Sequence, residues 1–308
     1  MNEIEKEASS RLLPPALERL LPPEVTDAVQ ACGAPTAEEL RLHANRFCNV
    51  KSRGVTYPTP LLLSPRRIRD VLYSLCAGSL YAYEESIRQG YLSPCHGVRI
   101  GVCGHAASEK GRIIGISDVT SLIVRIPHHV PVDASPLSNR LLSANGSGGM
   151  LLYAPPGVGK TTMLRAVAAE CASQKHLLHT VVVDTREELC YGLEDEHLSL
   201  CILSAYPRRI GIEIAYRCLG AELIVCDEIG NDDEADAILA ASNCGVPLLA
   251  SVHGSSLEQV LARESLQKLH QAHVFDDYVG LQRQQSEIRL VITTHEQADK
   301  LLSKGGPK

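Results

Sequence analysis

A chain of 308 residues with 44% hydrophobic residues is long enough for two domains that each bury a core. Acidic and basic residues are mixed along the chain and sum to a net charge of -6, which excludes the global polycation expected of a nonspecific nucleic-acid binder. The 11 cysteines are scattered without any C-x-x-C pair. This indicates small buried side chains in a reducing compartment and not a disulfide framework.

The amino-terminal residues predict neither export nor membrane insertion. MNEIEKEASSR lacks the basic end and apolar run of a signal peptide, and no apolar stretch approaches the ~18 residues of a spanning helix. We therefore expect a cytoplasmic protein that meets a membrane only through a partner. Residues 1–35 are expected to form a loosely ordered leader.

Residues 1–145 are predicted to form a smaller α+β domain. Residues 12–46 have helical periodicity broken by prolines, and residues 47–63 have the pattern of short strands. SPRRIRDVLYSLCAGSLYAYEESIRQG predicts two helices, with Ser64 as a cap and Pro65 at the first helical position. GVRIGVCGHA, GRIIGI and SLIVRIP then predict three short strands joined by glycine turns.

Residues 146–308 are predicted to form an α/β domain, entered through the glycine-rich segment SANGSGG. Strand patterns alternate there with helical patterns, which predicts a mostly parallel sheet covered on both faces. VFDDYVGLQ and EIRLVITT, separated by RQQS, predict a closing antiparallel hairpin. The other predicted strands are MLLYA, TVVVD, ELIVCD and VPLLASV, and the helices lie near residues 161–172, 210–219, 232–241 and 256–270.

The segment GMLLYAPPGVGKTTML nearly matches the phosphate-binding P-loop G-x-x-x-x-G-K-[ST], with Ala154 at the first glycine position. Alanine is tolerated there if it ends the strand with negative φ, while Gly157 and Gly159 keep the tight turns. Lys160 is predicted to reach the β- and γ-phosphates of ATP, and the Thr161 hydroxyl to hold Mg²⁺. The predicted nucleotide-binding residues are Ala154, Pro155, Pro156, Gly157, Val158, Gly159, Lys160, Thr161 and Thr162.

ELIVCDEIG supplies the acidic half of the predicted site, at the end of a neighbouring strand. Asp227 is placed to bind Mg²⁺ through water, and Glu228 to polarise the attacking water. The two adjacent side chains would separate because the strand ends and the backbone turns at Ile229 and Gly230.

Further candidates follow other strands of the same sheet. His253, and less strongly Ser251, can contact the γ-phosphate or the attacking water, although either can instead cap the following helix. Asp184, Arg186, Glu187 and Glu188 lie beside the same edge, where surface ion pairs are the alternative. The candidates for contacting a γ-phosphate across a subunit boundary are Arg217, Arg208, Arg209, Arg125 and Arg263, and the sequence does not choose among them.

Several motifs together resemble the stage III sporulation protein AA family of P-loop ATPases. They are APPGVGKTTMLR, VVVDTREEL, AYRCLGAELIVCDEIGNDDEADAI, LLASVHG and VFDDYVGL, preceded by ELRLHANR, GVRIGVCGHA and GRIIGISDVTSLIVRIP. That family resembles the type II and type IV secretion ATPases, which join an amino-terminal domain to a RecA-like, AAA-type ATPase domain. His253 matches their His box and VDTREE their acidic box. Asp227 departs from the glycine that commonly precedes the glutamate in secretion ATPases.

The resemblance implies an ATP-hydrolysing motor or energising subunit that works with a membrane-embedded, secretion-like complex in endospore formation. It implies a homo-hexamer in the mother cell, peripheral to the membrane through its partners. Two alternatives stay open: a nucleotide-dependent binding switch, and a nucleic-acid-stimulated RecA-like ATPase. With 2 Phe and no Trp for base stacking, a nucleic-acid partner is not expected.

Overall fold

A computed structural model of the chain describes residues 12–95, 97–109, 111–127, 132–143, 148–193, 197–284 and 287–304. The chain divides into two compact units, Met1–His128 and His129–Lys308.

The first unit is a six-stranded antiparallel sheet in the order β3-β2-β1-β6-β5-β4, with helices packed on its apolar face. Alternate residues of the strands, such as Leu40 and Leu42, enter one core with helical residues such as Val25 and Ile68. Ser64 caps a helix as predicted, because its side chain accepts a hydrogen bond from the Arg67 amide at 3.3 Å. The elements are α1 (Pro15–Glu18), α2 (Pro23–Ala31), β1 (Glu39–His43), β2 (Phe47–Ser52), β3 (Val55–Leu62), α3 (Pro65–Leu75), a short 3-10 helix (Leu80–Tyr83), α4 (Glu84–Arg88), β4 (Tyr91–Leu92), β5 (Arg99–Glu109) and β6 (Arg112–Arg125).

Three expectations for this unit were wrong. Residues 12–35 do not form a loose leader, because Leu17 and Val25 are fully buried in the core; residues 1–11 lie outside the described residues. Residues 39–43 form a strand instead of a helix. GRIIGI and SLIVRIP belong to one strand, β6, and are not separated by a turn. The polar residues between them form an irregularity within the strand, where Asp118 has a φ of 47° and the pairing register with β5 shifts.

The second unit is a seven-stranded sheet in the order β13-β12-β7-β11-β10-β8-β9, parallel except for the β12–β13 hairpin. Its two faces carry separate cores, so helices cover both sides as predicted. Leu151 and Tyr153 face one core while Leu152 and Ala154 face the other. The elements are α5 (Ser135–Ser143), β7 (Gly149–Ala154), α6 (Lys160–Ala172), β8 (Thr180–Asp184), β9 (Leu200–Ser204), α7 (Arg208–Arg217), β10 (Leu223–Cys226), α8 (Asp232–Asn243), β11 (Leu248–His253), α9 (Leu257–Leu261), α10 (Glu264–Gln271), β12 (Phe275–Gln284), β13 (Glu287–Thr294) and α11 (His295–Lys304).

Three details of this unit differ from the prediction. Helix α5 packs into its core through Leu137 and Leu141, so residues 135–143 belong to the second unit, and the expected boundary after residue 145 lies one helix too late. Strand β9 was not predicted; it lies at the edge of the sheet, and all its residues are only half-buried. The helix expected over 256–270 is divided into α9 and α10, because Arg263 between them is extended.

Candidate nucleotide-binding site

The P-loop joins the carboxyl end of β7 to the amino end of α6. Ala154 is the last residue of the strand, and it is 1% exposed. Its φ is not positive, whereas Gly157 and Gly159 have φ of 76° and 118°. A Cβ at Gly159 would also lie 2.9 Å from Cδ1 of Ile288. Glycine is therefore required where the loop turns and not at position 154. The remaining predicted loop residues lie at this turn and on the first turn of α6: Pro155, Pro156, Val158, Thr161 and Thr162.

The Lys160 side chain is held beneath the loop. It is 6% exposed, and its ammonium donates to the carbonyl oxygen of Ala154 at 3.1 Å and to Nδ1 of His253 at 2.8 Å. Burial lowers the pKa of Lys160, and the Glu228 carboxylate opposes this by raising it. The first amides of α6 have no partner within the helix, so this end offers N–H donors beside a buried cation.

His253 lies between Lys160 and Glu228. An ammonium can only donate, so Nδ1 of the imidazole must accept, and the ring proton of neutral His253 is on Nε2. Nε2 lies 2.6 Å from Oε1 of Glu228, whose other oxygen contacts Arg186. The structure thus brings together three residues that the sequence placed on three separate strand ends.

The acidic residues follow β10, and β11 lies between β10 and β7. The expectation that the acidic strand neighbours the P-loop strand was therefore wrong by one strand. That intervening strand supplies Ser251, whose buried hydroxyl accepts from the Glu228 amide at 3.2 Å, and His253. Glu228 itself has a φ of 41°, so the backbone turns one residue earlier than expected. The two adjacent carboxylates contact different partners, Arg208 for Asp227 and His253 with Arg186 for Glu228.

Asp227 is 2% exposed and belongs to a buried ion network. Arg208 donates to Oδ1 of Asp227 at 3.1 Å and also contacts Glu234. Glu234 forms a capping box with Asn231 at the start of α8, which fixes its position. Burial raises the pKa of Asp227, while the charge of Arg208 lowers it. Glu234 was not among the residues predicted from the sequence, although the N-x-x-E pattern in NDDE, residues 231–234, is the signature of a helix capping box.

The charged segment after β8 is organised by Asp184. This carboxylate is fully buried and accepts hydrogen bonds from the amides of Glu188, Leu189 and Cys190 at 2.9, 2.7 and 2.8 Å. Arg165 of α6 donates to the carbonyl oxygens of Glu188 and Leu189, which ties the P-loop helix to this segment. Asp184 is thus a structural residue, and the segment brings Arg186 to Glu228.

The five candidate arginines lie in different places. Arg208 has a 9% exposed side chain and is engaged within its own chain, so it is excluded as a residue that reaches across a boundary. Arg263 donates to the His253 carbonyl oxygen, and Arg209 pairs with Glu213 on the surface. Arg217 is exposed at the far end of α7, about 14 Å along the helix from Arg208 at ~1.5 Å per residue. Arg217 and Arg125 therefore keep exposed guanidinium groups, and their role stays a prediction.

Comparisons with known proteins identify the family of this chain. The family described as sporulation stage III, protein AA, matches residues 28–299. The chain belongs to this family. Stage III sporulation protein AA of Bacillus subtilis (strain 168) is 31% identical over 258 residues, covering 80% of this chain and 82% of that protein. The resemblance expected from the motifs is therefore confirmed.

Solved structures share the fold of this stage III AA family member. The ATPase DotB of Legionella pneumophila superposes with a TM-score of 0.60 at 16% identity, over 87% of this chain and 80% of that chain. The pilus retraction motor PilT, solved with bound ADP, superposes with a TM-score of 0.62 at 12% identity, over 91% and 86% of the two chains. The expected P-loop ATPase fold, with a smaller preceding domain, is confirmed. Within the described residues, no helix combines the length and apolarity needed to cross a bilayer.

Proposed function

We propose that this protein hydrolyses ATP and thereby energises a secretion-like membrane complex in endospore formation. The observation that carries the proposal is the contact chain from Lys160 through His253 to Glu228, beside the P-loop. This contact chain supports the proposal because a buried lysine at a glycine-rich loop and a carboxylate meet at the edge of the sheet where open α/β folds bind ligands.

The residues of the loop fit a nucleotide polyphosphate. Gly157 and Gly159 expose backbone amides without a Cβ, and Lys160 supplies positive charge at the same helix end. In the proposed complex Lys160 exchanges its contact with His253 for the β- and γ-phosphates. Thr161 and Asp227 would hold Mg²⁺, which supplies positive charge against the phosphate oxygens when bound.

Hydrolysis would depend on Glu228. Its carboxylate is fixed by His253 on one oxygen and Arg186 on the other, so it is oriented before substrate binds. In the proposed reaction Glu228 accepts a hydrogen bond from the attacking water, and His253 reports whether Lys160 has moved to phosphate. An arginine of an adjacent subunit, for which Arg217 and Arg125 remain candidates, would complete the charge around the γ-phosphate.

The motor role and its partners rest on family membership and on the shared fold of DotB and PilT. We propose a homo-hexamer in the mother-cell cytoplasm that meets the membrane through proteins of the complex. Light scattering of the purified chain with and without ATP and Mg²⁺ tests the assembly. A particle that stays at one chain in both conditions contradicts the ring.

Two substitutions test the chemistry. Lys160→Ala should abolish binding of a fluorescent ATP analogue, whereas Glu228→Gln should keep binding and lower turnover by about 10²- to 10⁴-fold, the usual contribution of a general base. Glu213→Gln, an exposed glutamate on α7, is the matched control and should behave as the unmodified protein. Full turnover by Glu228→Gln, or no turnover by the unmodified protein with its membrane partners, would overturn the proposal.

A further inference from the structure

A second polar cluster lies at the opposite edge of the same sheet from the P-loop. A cavity of about 630 Å³ opens there, beside the first residues of β7 and β12, and its lining includes Arg140, His273, Asp277 and His295. His295 of this lining groups with His270 and Asp299, which place one ligand atom each within 4.8 Å of one another and of His295. None of the three takes part in the nucleotide site.

The local fold fixes two of these residues on one helix. Thr294 caps α11: its hydroxyl accepts from the Gln297 amide at 3.4 Å, and its own amide donates to the Gln297 side chain at 3.0 Å. The helix therefore starts at His295 and carries Asp299 one turn later on the same face. His270, on α10, is 4% exposed. Its ring lies 4.4 Å from the ring of His295, between centroids, and its Nε2 contacts Asp299.

The hydrogen bond of His295 to the backbone determines which of its ring atoms is available. Nδ1 of His295 lies 3.2 Å from the carbonyl oxygen of Phe275, which can only accept, so Nδ1 carries the proton. In neutral His295 the lone pair of Nε2 then faces Oδ2 of Asp299, at 3.7 Å. Two acceptors that face each other repel unless a proton on the ring or a metal cation lies between them.

His270 repeats this arrangement. Its Nδ1 lies 2.7 Å from the buried hydroxyl of Tyr278, and its Nε2 lies 3.1 Å from Oδ1 of Asp299. The hydroxyl can donate or accept, so in the tautomer whose Nδ1–H donates to Tyr278 the lone pair of Nε2 is free to bind an ion. An imidazole that donates one N–H to a neighbouring oxygen and presents its other nitrogen is the usual arrangement of a metal-binding histidine. His273 only stacks on the ring of His295, at 3.8 Å between centroids, and contacts Asp276.

We propose that His270, His295 and Asp299 bind a transition-metal ion of the zinc class. Two imidazole nitrogens and one carboxylate are donors that zinc prefers, and the cavity leaves access for water as a fourth ligand. The Nε2 atoms of His270 and His295 lie 3.1 and 3.7 Å from the two different oxygens of Asp299, and one ligand atom from each residue lies within 4.8 Å of the others, so small side-chain movements would bring them to the ~3.3 Å that a tetrahedron with ~2.0 Å bonds requires. Mg²⁺ prefers oxygen ligands, so this site is independent of the nucleotide. The bound ion would cross-link α11 to α10.

The test uses the full-length chain after removal of metals with a chelator. Titration with Co²⁺ should give one equivalent per chain, with visible d–d absorption and no thiolate charge-transfer band, and Zn²⁺ should displace the Co²⁺. The thiolate band matters because exposed Cys103, Cys218 and Cys244 offer competing sulfur ligands. A spectrum with that band, or no stoichiometric binding, would refute the site.

Variants assign the ligands. His295→Gln and Asp299→Asn should each weaken Zn²⁺ binding by at least about tenfold, whereas His176→Gln, outside the cluster, should leave it unchanged. Asp299 has a 61% exposed side chain, so its near-isosteric replacement should fold, which circular dichroism checks. Unchanged affinity in the folded Asp299→Asn and His295→Gln proteins would overturn the proposal. Nucleotide binding should persist in all of them, so failure here does not bear on the ATPase.

Discussion

The ammonium of Lys160 donates a hydrogen bond to Nδ1 of His253, and Nε2 of the same ring contacts Glu228. The residue proposed to bind phosphate and the residue proposed to activate water are thus connected through one imidazole. In the proposed complex Lys160 would move to phosphate, so that His253 would lose one of its two partners while Glu228 would keep Arg186. This gives the Glu228 carboxylate a way to respond to phosphate at Lys160.

We expect His253→Ala to lower ATP turnover by about 10- to 100-fold, because Glu228 loses a contact that orients it. Nucleotide affinity should stay the same or rise, since Lys160 no longer gives up a partner when phosphate binds. Single-turnover hydrolysis and equilibrium binding of a fluorescent analogue separate the two effects. His253→Gln should recover part of the rate, because its amide can accept from Lys160 and donate to Glu228. A loss of affinity with an unchanged rate would contradict this role.

Adjacent arginines at the start of α7 should differ sharply in their effect on stability. Arg208→Ala leaves Asp227 and Glu234 buried without their cation and should lower the free energy of unfolding by about 3–5 kcal/mol. Arg209→Ala removes only an exposed ion pair with Glu213 and should change the free energy of unfolding by less than about 0.5 kcal/mol. Urea unfolding of the two variants makes the comparison. Equal effects would show that the buried network contributes no net stability.

The sequence predicts the nucleotide site best where a chemical pattern is local. APPGVGKTT joins the strand end, the turn, the cation and the helix start in consecutive residues, so the position and φ of Ala154, Gly157 and Gly159 follow from it. Strand order does not follow, because apolar strands of similar composition fit several positions in a parallel sheet. The placement of β11 between β10 and β7 therefore appears only in the structure.

Long-range polar partners are also absent from any local pattern. Arg208 looked like other surface arginines, and only the packing of α7 against β10 brings it to Asp227. His270 and His295 are separated by a β-hairpin in sequence and meet through the turn from β13 into α11. The two-domain organisation follows from composition, but the assignment of α5 depends on where Leu137 and Leu141 find a core.

Burial divides the cysteines by reactivity. Burial raises the pKa of Cys171 and of Cys226 to about 12, so at pH 8 both are neutral thiols with almost no reactive thiolate. Cys103, Cys218 and Cys244 are exposed. A thiol reagent at pH 8 should therefore modify these three exposed cysteines in the native protein. It should react with Cys171 and Cys226 only after unfolding. Peptide mapping by mass spectrometry measures this, and rapid labelling of Cys171 without unfolding would contradict its burial.

Substitution of Ala154 should affect the stability of the protein more than its affinity for nucleotide. Its methyl group is buried against α6, and its carbonyl oxygen, not its side chain, contacts Lys160. Ala154→Gly should change nucleotide affinity by less than about twofold but lower the free energy of unfolding by about 1–2 kcal/mol, from the lost methyl and the added backbone entropy. Ala205→Gly is the matched control: Ala205 is exposed with a φ of 61°, where glycine relieves strain, so stability should hold or rise. If Ala154→Gly instead tightened nucleotide binding tenfold at unchanged stability, position 154 would contribute to phosphate binding directly.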